Sequence, residues 1–450
     1  MKHLTPQIIA DITGGEYIGR EQDRYVKVQG AARDNRDVRP GNLFLCIPGA
    51  RVDGHSFADN AFERGAACAV AQHALGGAKG PYVIVESTLE AVKKLGAYYR
   101  RLFDIPVIGI TGSVGKTTVK EMVACALGAR FCVLKTPENL NNELGVPLVL
   151  LSLEPRHEAA VIEMGASEFG EMGRLAQMVR PDICVTTKIG HAHLDALGDL
   201  DGVLRAKSEV FAHMQYSGIS VLNGDDEMLL RFDPGLRKIT FGLGAGNDFR
   251  AENIQSRGVE AVTFDVVSAE ERFPVEISAF GEHVAQMALP AAVVGFLLGM
   301  SGAEIARGLR SYTPVDGRAN VRDTGFVTLI DDCYNANPSS VAAALRSLAG
   351  LSGRRVAILG DMNELGGQSE KLHREIGALA ANLGIDLLLC GGEKAEAICN
   401  GYISAGGRSA KHFAGRAELI AALPELIEKG DIVLVKASNS MRFDEIASWF

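Results

Sequence analysis

The sequence has no C-x-x-C pair, no apolar run long enough for a membrane and no excess of positive charge. Each absence removes a class of function. The eight cysteines stand singly, at 46, 68, 125, 132, 184, 333, 390 and 399, which argues against a zinc site or a disulfide framework. Most lie in apolar runs, where a thiol serves as a small core residue, and this usage suits a reducing cytosol. The net charge of −9 argues against nucleic acid or an anionic membrane as the main partner. The longest apolar stretch, Met287 to Met300, is too short to cross a bilayer and contains Pro290 and Gly295, so a buried helix is expected and no membrane insertion. Met1 to Pro6 has neither an apolar core nor a small-residue cleavage site, so no signal peptide is expected there. No low-complexity segment or repeat stands out.

What is present is a long alternation of short apolar strands and amphipathic helices. Over 450 residues this suggests about three α/β domains. The clearest signal runs from Val107 to Thr118, an apolar strand, a glycine-framed loop and a helix read as Thr118 to Leu127. It is read as a phosphate loop of the G-x-x-x-x-G-K-[ST] kind, with Gly109 or Gly112 leading and Gly115, Lys116 and Thr117 closing. Such a loop aims successive backbone N–H groups at phosphates from a helix N-terminus. The lysine adds positive charge and a threonine hydroxyl can ligate Mg²⁺. The loop implies a nucleoside triphosphate without saying what it is used for.

Other segments leave alternatives open. Asp34 to Gly41 and Pro48 to His55, with Arg51 between, are solvated loops or bind a phosphorylated, hydroxyl-rich ligand. Asn139, Asn141 and Asn142 serve turn chemistry or hydrogen-bond a ligand. Glu163 ends an apolar strand, where α/β enzymes present metal ligands and where exposed carboxylates are also common. His191 and His193 lack the spacing of a metal helix, and Lys207 alone reads as a solvated lysine. Residues 239 to 279 read as an antiparallel appendage, and strands followed by polar loops restart an α/β pattern after Pro314, as in a doubly wound domain.

Several segments together carry a resemblance. Thr111 to Thr118, Asn139 to Asn142, Glu163 to Gly165, His193 to Asp195, Ala206 to Glu209, Gly317 and Arg318, Asp331 to Pro338 and Leu359 to Gly366 are similar to motifs of the Mur ligases. These are ATP-dependent amide-bond-forming synthetases of bacterial cell-wall synthesis, and the resemblance covers essentially the whole chain. It implies three α/β domains. A small N-terminal domain (1–86) would hold a UDP-linked substrate, and a central P-loop domain with a mostly parallel sheet (87–313) would hold ATP. A Rossmann-like C-terminal domain (314–450) would take the incoming amine. The last two segments point to the branch that joins D-alanyl-D-alanine to UDP-N-acetylmuramoyl-tripeptide through an acyl phosphate. The alternatives are a sibling or folylpolyglutamate-synthetase-like ligase, or a non-catalytic nucleotide-binding scaffold.

The resemblance also implies roles. Lys116, His193, Lys207 and Arg318 would be catalytic. Gly112, Ser113, Val114, Gly115, Lys116, Thr117, Thr118, Asn139, Arg318 and Asp332 would bind the nucleotide. Thr117, Glu163, His193 and a carbamylated Lys207 would hold Mg²⁺. Asn35, Arg36, Asp53 and His55 would meet the UDP substrate, and Asn335 and Asn337 the amino substrate. A cytoplasmic monomer is expected. The chain departs from the family pattern at Val114, Lys188, Val284, Met287, Ala437 and Asn439.

Overall fold

The computed structural model describes residues 1–49 and 52–450; Arg51 of the second polar loop lies outside the described residues. Three sheets follow one another along the chain. The first has five strands in the order Glu16–Ile18, Tyr82–Ile84, Cys68–Ala71, Asn42–Leu45, Gly30–Ala32, parallel except for the first pair. The helix Thr88–Arg100, capped by the Ser87 side chain, packs on the helix Pro6–Thr13 of this layer and on two helices of the next, Gly145–Leu150 and Glu171–Val179.

The second sheet has nine strands. Val107–Thr111 lies near one edge, between Ile183–Thr186 and Ala159–Glu163. All of Val107–Thr111 is buried, because parallel strands are covered on both faces. Its side chains alternate between two cores. Val107 joins Ile162 and Cys184 on one face, while Ile108 and Ile110 join Val161 and Val185 on the other. Each such buried side chain contributes about 1.5–3 kcal/mol, so register is strongly held and the strand's end is a fixed point for the loop that follows.

Residues 239 to 279 are not an appendage. Arg237–Gly242 and Phe249–Ser256 continue the nine-stranded sheet in parallel, and only Val262–Val267 and Arg272–Ile277 run antiparallel. The reason lies in Val262, Phe264 and Val266, every second residue of one strand. They are buried in the same core as the phosphate-loop helix. The apolar stretch expected as a buried helix is His283–Leu297, with Pro290 inside, packed against the phosphate-loop helix. Among the described residues no helix is long and apolar enough to cross a membrane.

The third sheet has six strands, Asn320–Asp323, Thr328–Asp331, Ile432–Lys436, Arg355–Gly360, Leu387–Gly391 and Ala410–Phe413. All pairs are parallel except the first hairpin, and helices cover both faces. Six of the cysteines are buried and two partly so, and all are free.

Candidate active site

Gly109 lies inside its strand, so Gly112 is the leading glycine and the phosphate loop is shorter than the general pattern. Gly112 has φ +132, and a Cβ there would come within 2.2 Å of the Thr187 hydroxyl. Gly115, with φ +79, is the helix N-cap, and Lys116 rather than Thr118 begins the helix Lys116–Gly128. The loop is pinned from the neighbouring strand. Ser113 N donates to Lys188 O at 2.7 Å, the Thr187 hydroxyl donates to Val114 O at 2.5 Å, and Gly190 N donates to Ser113 Oγ at 3.1 Å. Thus Lys188 and Val114 act here through their backbones. The Lys116 ammonium folds back onto Gly112 O at 2.9 Å. Burial lowers its pKa, Glu163 opposes that shift and Arg318 adds to it.

Glu163 ends its strand almost fully buried. Its carboxylate accepts from the Thr117 hydroxyl at 2.9 Å and from Asn141 Nδ2 at 2.8 Å. Lys120, one turn beyond Lys116 and completely buried, brings its ammonium to 3.9 Å from the same carboxylate. A buried carboxylate with a hydroxyl and an amide beside it is a hard-oxygen set that fits Mg²⁺. Asn141 is one of the three asparagines that the sequence left open between turn chemistry and a ligand, whereas Lys120 was not singled out. The helical spacing of 116 and 120 is the signal that could have found Lys120.

Lys207, on the helix Leu200–Ser208, is 2% exposed and donates to Ala166 O. Burial, reinforced by Lys116, pushes its pKa down to about 7. It is therefore not the solvated lysine that its neighbourhood in sequence suggests. His193 precedes the short helix Leu194–Leu197 with φ +55, and its Nδ1 lies 2.7 Å from Glu364 Oε2 of the third sheet's layer. Burial lowers its pKa, Glu364 opposes, and Lys207 and Lys116 add to the depression.

The third layer closes the site. Arg318 stacks on the Tyr334 ring at 4.0 Å. Asn439 Nδ2 donates to Tyr334 O at 3.1 Å, so this departure from the family pattern holds the residue on which Arg318 rests. Asp332 pairs with the buried Lys436 at 2.6 Å and accepts from Ala319 N. Asn335 Oδ1 accepts from Ala336 N, and Asn337 caps the helix Pro338–Ala349 through its side-chain oxygen, so both amide oxygens are already engaged. Ala437 is fully buried.

The loop residues from Ser113 to Thr118, with Asn139, Glu163, His193, Arg318, Asp332, Asn335 and Asn337, line one cleft of about 450 Å³. Lys207 sits behind it. Val284 and Met287 form part of the apolar wall, with Met287 under Gly115. The four residues expected to meet the UDP substrate lie elsewhere. Asn35 bonds to Asn60, Arg36 pairs with Asp34 at 2.5 Å in solvent, and Asp53 caps the turn that holds His55. His55 is buried with both nitrogens engaged, Nδ1 on Asp53 at 2.6 Å and Nε2 accepting from Gln72 N at 2.8 Å. It braces the loop and offers no free nitrogen to a ligand.

Fold and cleft define a three-sheet α/β protein whose phosphate loop is faced by residues of a following α/β layer. Residues 27–100 match the pattern of the Mur ligase family catalytic domain, 110–295 the Mur ligase middle domain, and 317–439 the Mur ligase glutamate ligase domain. The chain is 35% identical to the UDP-N-acetylmuramoyl-tripeptide–D-alanyl-D-alanine ligase of Escherichia coli (strain K12), over 99% of this chain and 98% of that one. It is similar to the solved structure of MurF from Acinetobacter baumannii, with a TM-score of 0.89, 31% identity and coverage of 99% and 98%. It is also similar to the MurF ligase of Thermotoga maritima solved in complex with ADP, with a TM-score of 0.82, 29% identity and coverage of 94% and 97%. The chain belongs to the Mur ligase family.

Proposed function

We propose that the protein is an ATP-dependent ligase that joins D-alanyl-D-alanine to UDP-N-acetylmuramoyl-tripeptide and releases ADP and phosphate. One observation carries the reading. The phosphate loop, the buried Glu163 and Arg318 of the third layer all line a single cleft.

The reaction brings a carboxylate to a triphosphate, so like charges must be neutralised and held in line. The γ-phosphoryl group passes to the terminal carboxylate of the tripeptide, forming an acyl phosphate and ADP. The amine of D-alanyl-D-alanine then attacks the acyl carbon. The tetrahedral intermediate expels phosphate, and the amine's proton leaves to solvent. The loop N–H groups cradle the phosphates. Lys116 turns from Gly112 O to the β- and γ-phosphates, and Arg318 supplies a second cation from the opposite wall. Thr117 and Glu163 would hold Mg²⁺, with His193 beside them, and the ion would screen the phosphate charges.

Lys207 has a reason to be neutral in mildly alkaline solution, and the neutral amine is the form that takes up CO₂. An N–C bond forms between that neutral amine and CO₂, one proton leaves from the nitrogen, and the side chain becomes a carboxylate-like group among cations. Arg36, Asn35 and Asp53 would meet the UDP end of the substrate, with His55 as the brace of their loop. Asp332, Asn335 and Asn337 would shape the nucleotide and dipeptide ends. The remaining amide N–H₂ donors of the two asparagines are the groups free to act there. The protein would work as a cytoplasmic monomer.

Release of ADP and phosphate should require both substrates together. Turnover with either one alone overturns the reading. A panel with lysine or diaminopimelate as the third peptide residue, and with single amino acids in place of the dipeptide, separates this ligase from its siblings.

A further inference from the structure

We propose that Glu364, carried by the third layer, is a positioning residue for the nucleotide site: it sets the tautomer and orientation of His193. The proposal rests on the reading of His193 as a member of the Mg²⁺ site.

Two short loops meet where the central and third layers touch. His193 stands on one with φ +55 and Glu364 on the other with φ +63, both in the left-handed region that non-glycine residues avoid. Two such outliers facing each other call for a reason, and the contacts between them supply it. Leu194 N donates to Glu364 O at 2.9 Å, and His193 Nδ1 lies 2.7 Å from Glu364 Oε2. Gly366, also left-handed at φ +55, lies against Asp195. Side chain and backbone of Glu364 therefore grip the same turn.

An exposed carboxylate on a floppy loop would do little for a histidine. Glu364 is not on a floppy loop. Asp361 Oδ1 accepts from Ala395 N at 2.8 Å, Met362 N donates to His373 Nε2 at 3.0 Å, and Asn363 N donates to Ser438 Oγ at 2.8 Å. The Asn363 side chain adds bonds to Ser440 and Lys394. The carboxylate is thus presented by a braced segment of the third layer.

The chemical consequence concerns the ring. A carboxylate oxygen 2.7 Å from Nδ1 favours a proton on that nitrogen by charge, which leaves the lone pair of the neutral imidazole on Nε2. The ring lines the same cleft as Lys116 and Glu163. Carboxylate–histidine pairs of this kind orient metal ligands, and losing the carboxylate commonly costs 10–100-fold. Here the orienting group belongs to a different layer from the ring. Docking of the third layer therefore completes the site that the central layer builds.

The test uses the full chain and two readouts. Mn²⁺ binding in the presence of a non-hydrolysable ATP analogue is followed by electron paramagnetic resonance, and ligation by ADP release. Glu364→Ala should weaken Mn²⁺ binding and lower kcat by about 10–100-fold each, with the KM for ATP changed less than about 3-fold. Nitrogen NMR of labelled histidine should show His193 losing its Nδ1–H preference. Glu364→Gln, whose amide oxygen still accepts, should keep most of both properties. In the double variant, Glu364→Ala should add little to His193→Ala. Wild-type Mn²⁺ binding and tautomer in Glu364→Ala overturn the proposal, as does a Glu364→Gln variant as impaired as Glu364→Ala. Undiminished Mn²⁺ binding in His193→Ala overturns instead the site reading beneath it.

Discussion

At the carboxyl edge of the central sheet, Lys120, Glu163 and Lys207 are buried, and each is bonded to a residue far along the chain. On the loops of the first sheet, Arg36 and Asp53 stand in solvent with Asp34 half-buried beside them, and all three bond to residues two positions away. The same residue types thus do different physical work. In the cleft, removal from water makes each charge matter, because an unpaired buried charge is expensive and a bound polyanion would relieve it. On the loops, the charges shape turns, and the surrounding water screens them.

The comparison predicts a graded series of losses. The largest belongs to the cleft. Lys116→Ala should lower kcat by at least about 10²–10³-fold, measured by ADP release, because a cation aimed at developing phosphate charge is removed. Gly112→Ala comes next. Its Cβ would meet the Thr187 hydroxyl and its φ of +132 suits glycine alone, so the loop must shift. Strain of about 1–3 kcal/mol should appear as a lowered Tm together with a KM for ATP raised about 10-fold. Arg36→Ala should be milder, raising the KM for the UDP substrate by up to about 10-fold with kcat unchanged. A kcat loss in Arg36→Ala comparable to that of Lys116→Ala would break the comparison.

The smallest effect sharpens it from the side of pH. Arg36 holds the Asp34 carboxyl at about 2, mainly through the hydrogen bonds it donates from side chain and backbone. A carboxyl lowered on folding adds stability that is complete above its ordinary value near 4 and fades as pH falls through 2. Asp34→Asn should therefore lower Tm slightly at pH 5, and the gap to the parent should narrow as pH falls toward 2. A gap that widens in acid would contradict the assignment.

These differences also explain what was legible beforehand. The phosphate loop was readable because its geometry is local. Glycine at 112 and 115, lysine at 116 and threonine at 117 fall within one turn of chain, between a strand and a helix whose periods are themselves readable. The sequence left Gly109 and Gly112 both open as the leading glycine, since an all-buried strand hides where it ends, and the helix starts at Lys116, two residues before the expected Thr118. Residues 239 to 279 were misread because alternation reveals a half-covered strand without revealing which core covers it. The three-sheet α/β pattern and the strand-end Glu163 were readable from apolar runs, whereas its pairing with Asn141 and Lys120 was not.

What the sequence alone determined is the chemistry that short-range backbone geometry can carry: a phosphate loop, the strands that present it, and the residue types of a Mur ligase. What only the tertiary structure decided is which charges leave water and whom they meet. Nothing near Lys207 in sequence buries it, and nothing near His193 tells which group will set its proton. Glu364 arrives from a different sheet. Burial and pairing at such distances are set by the packing of whole layers, which no local pattern encodes.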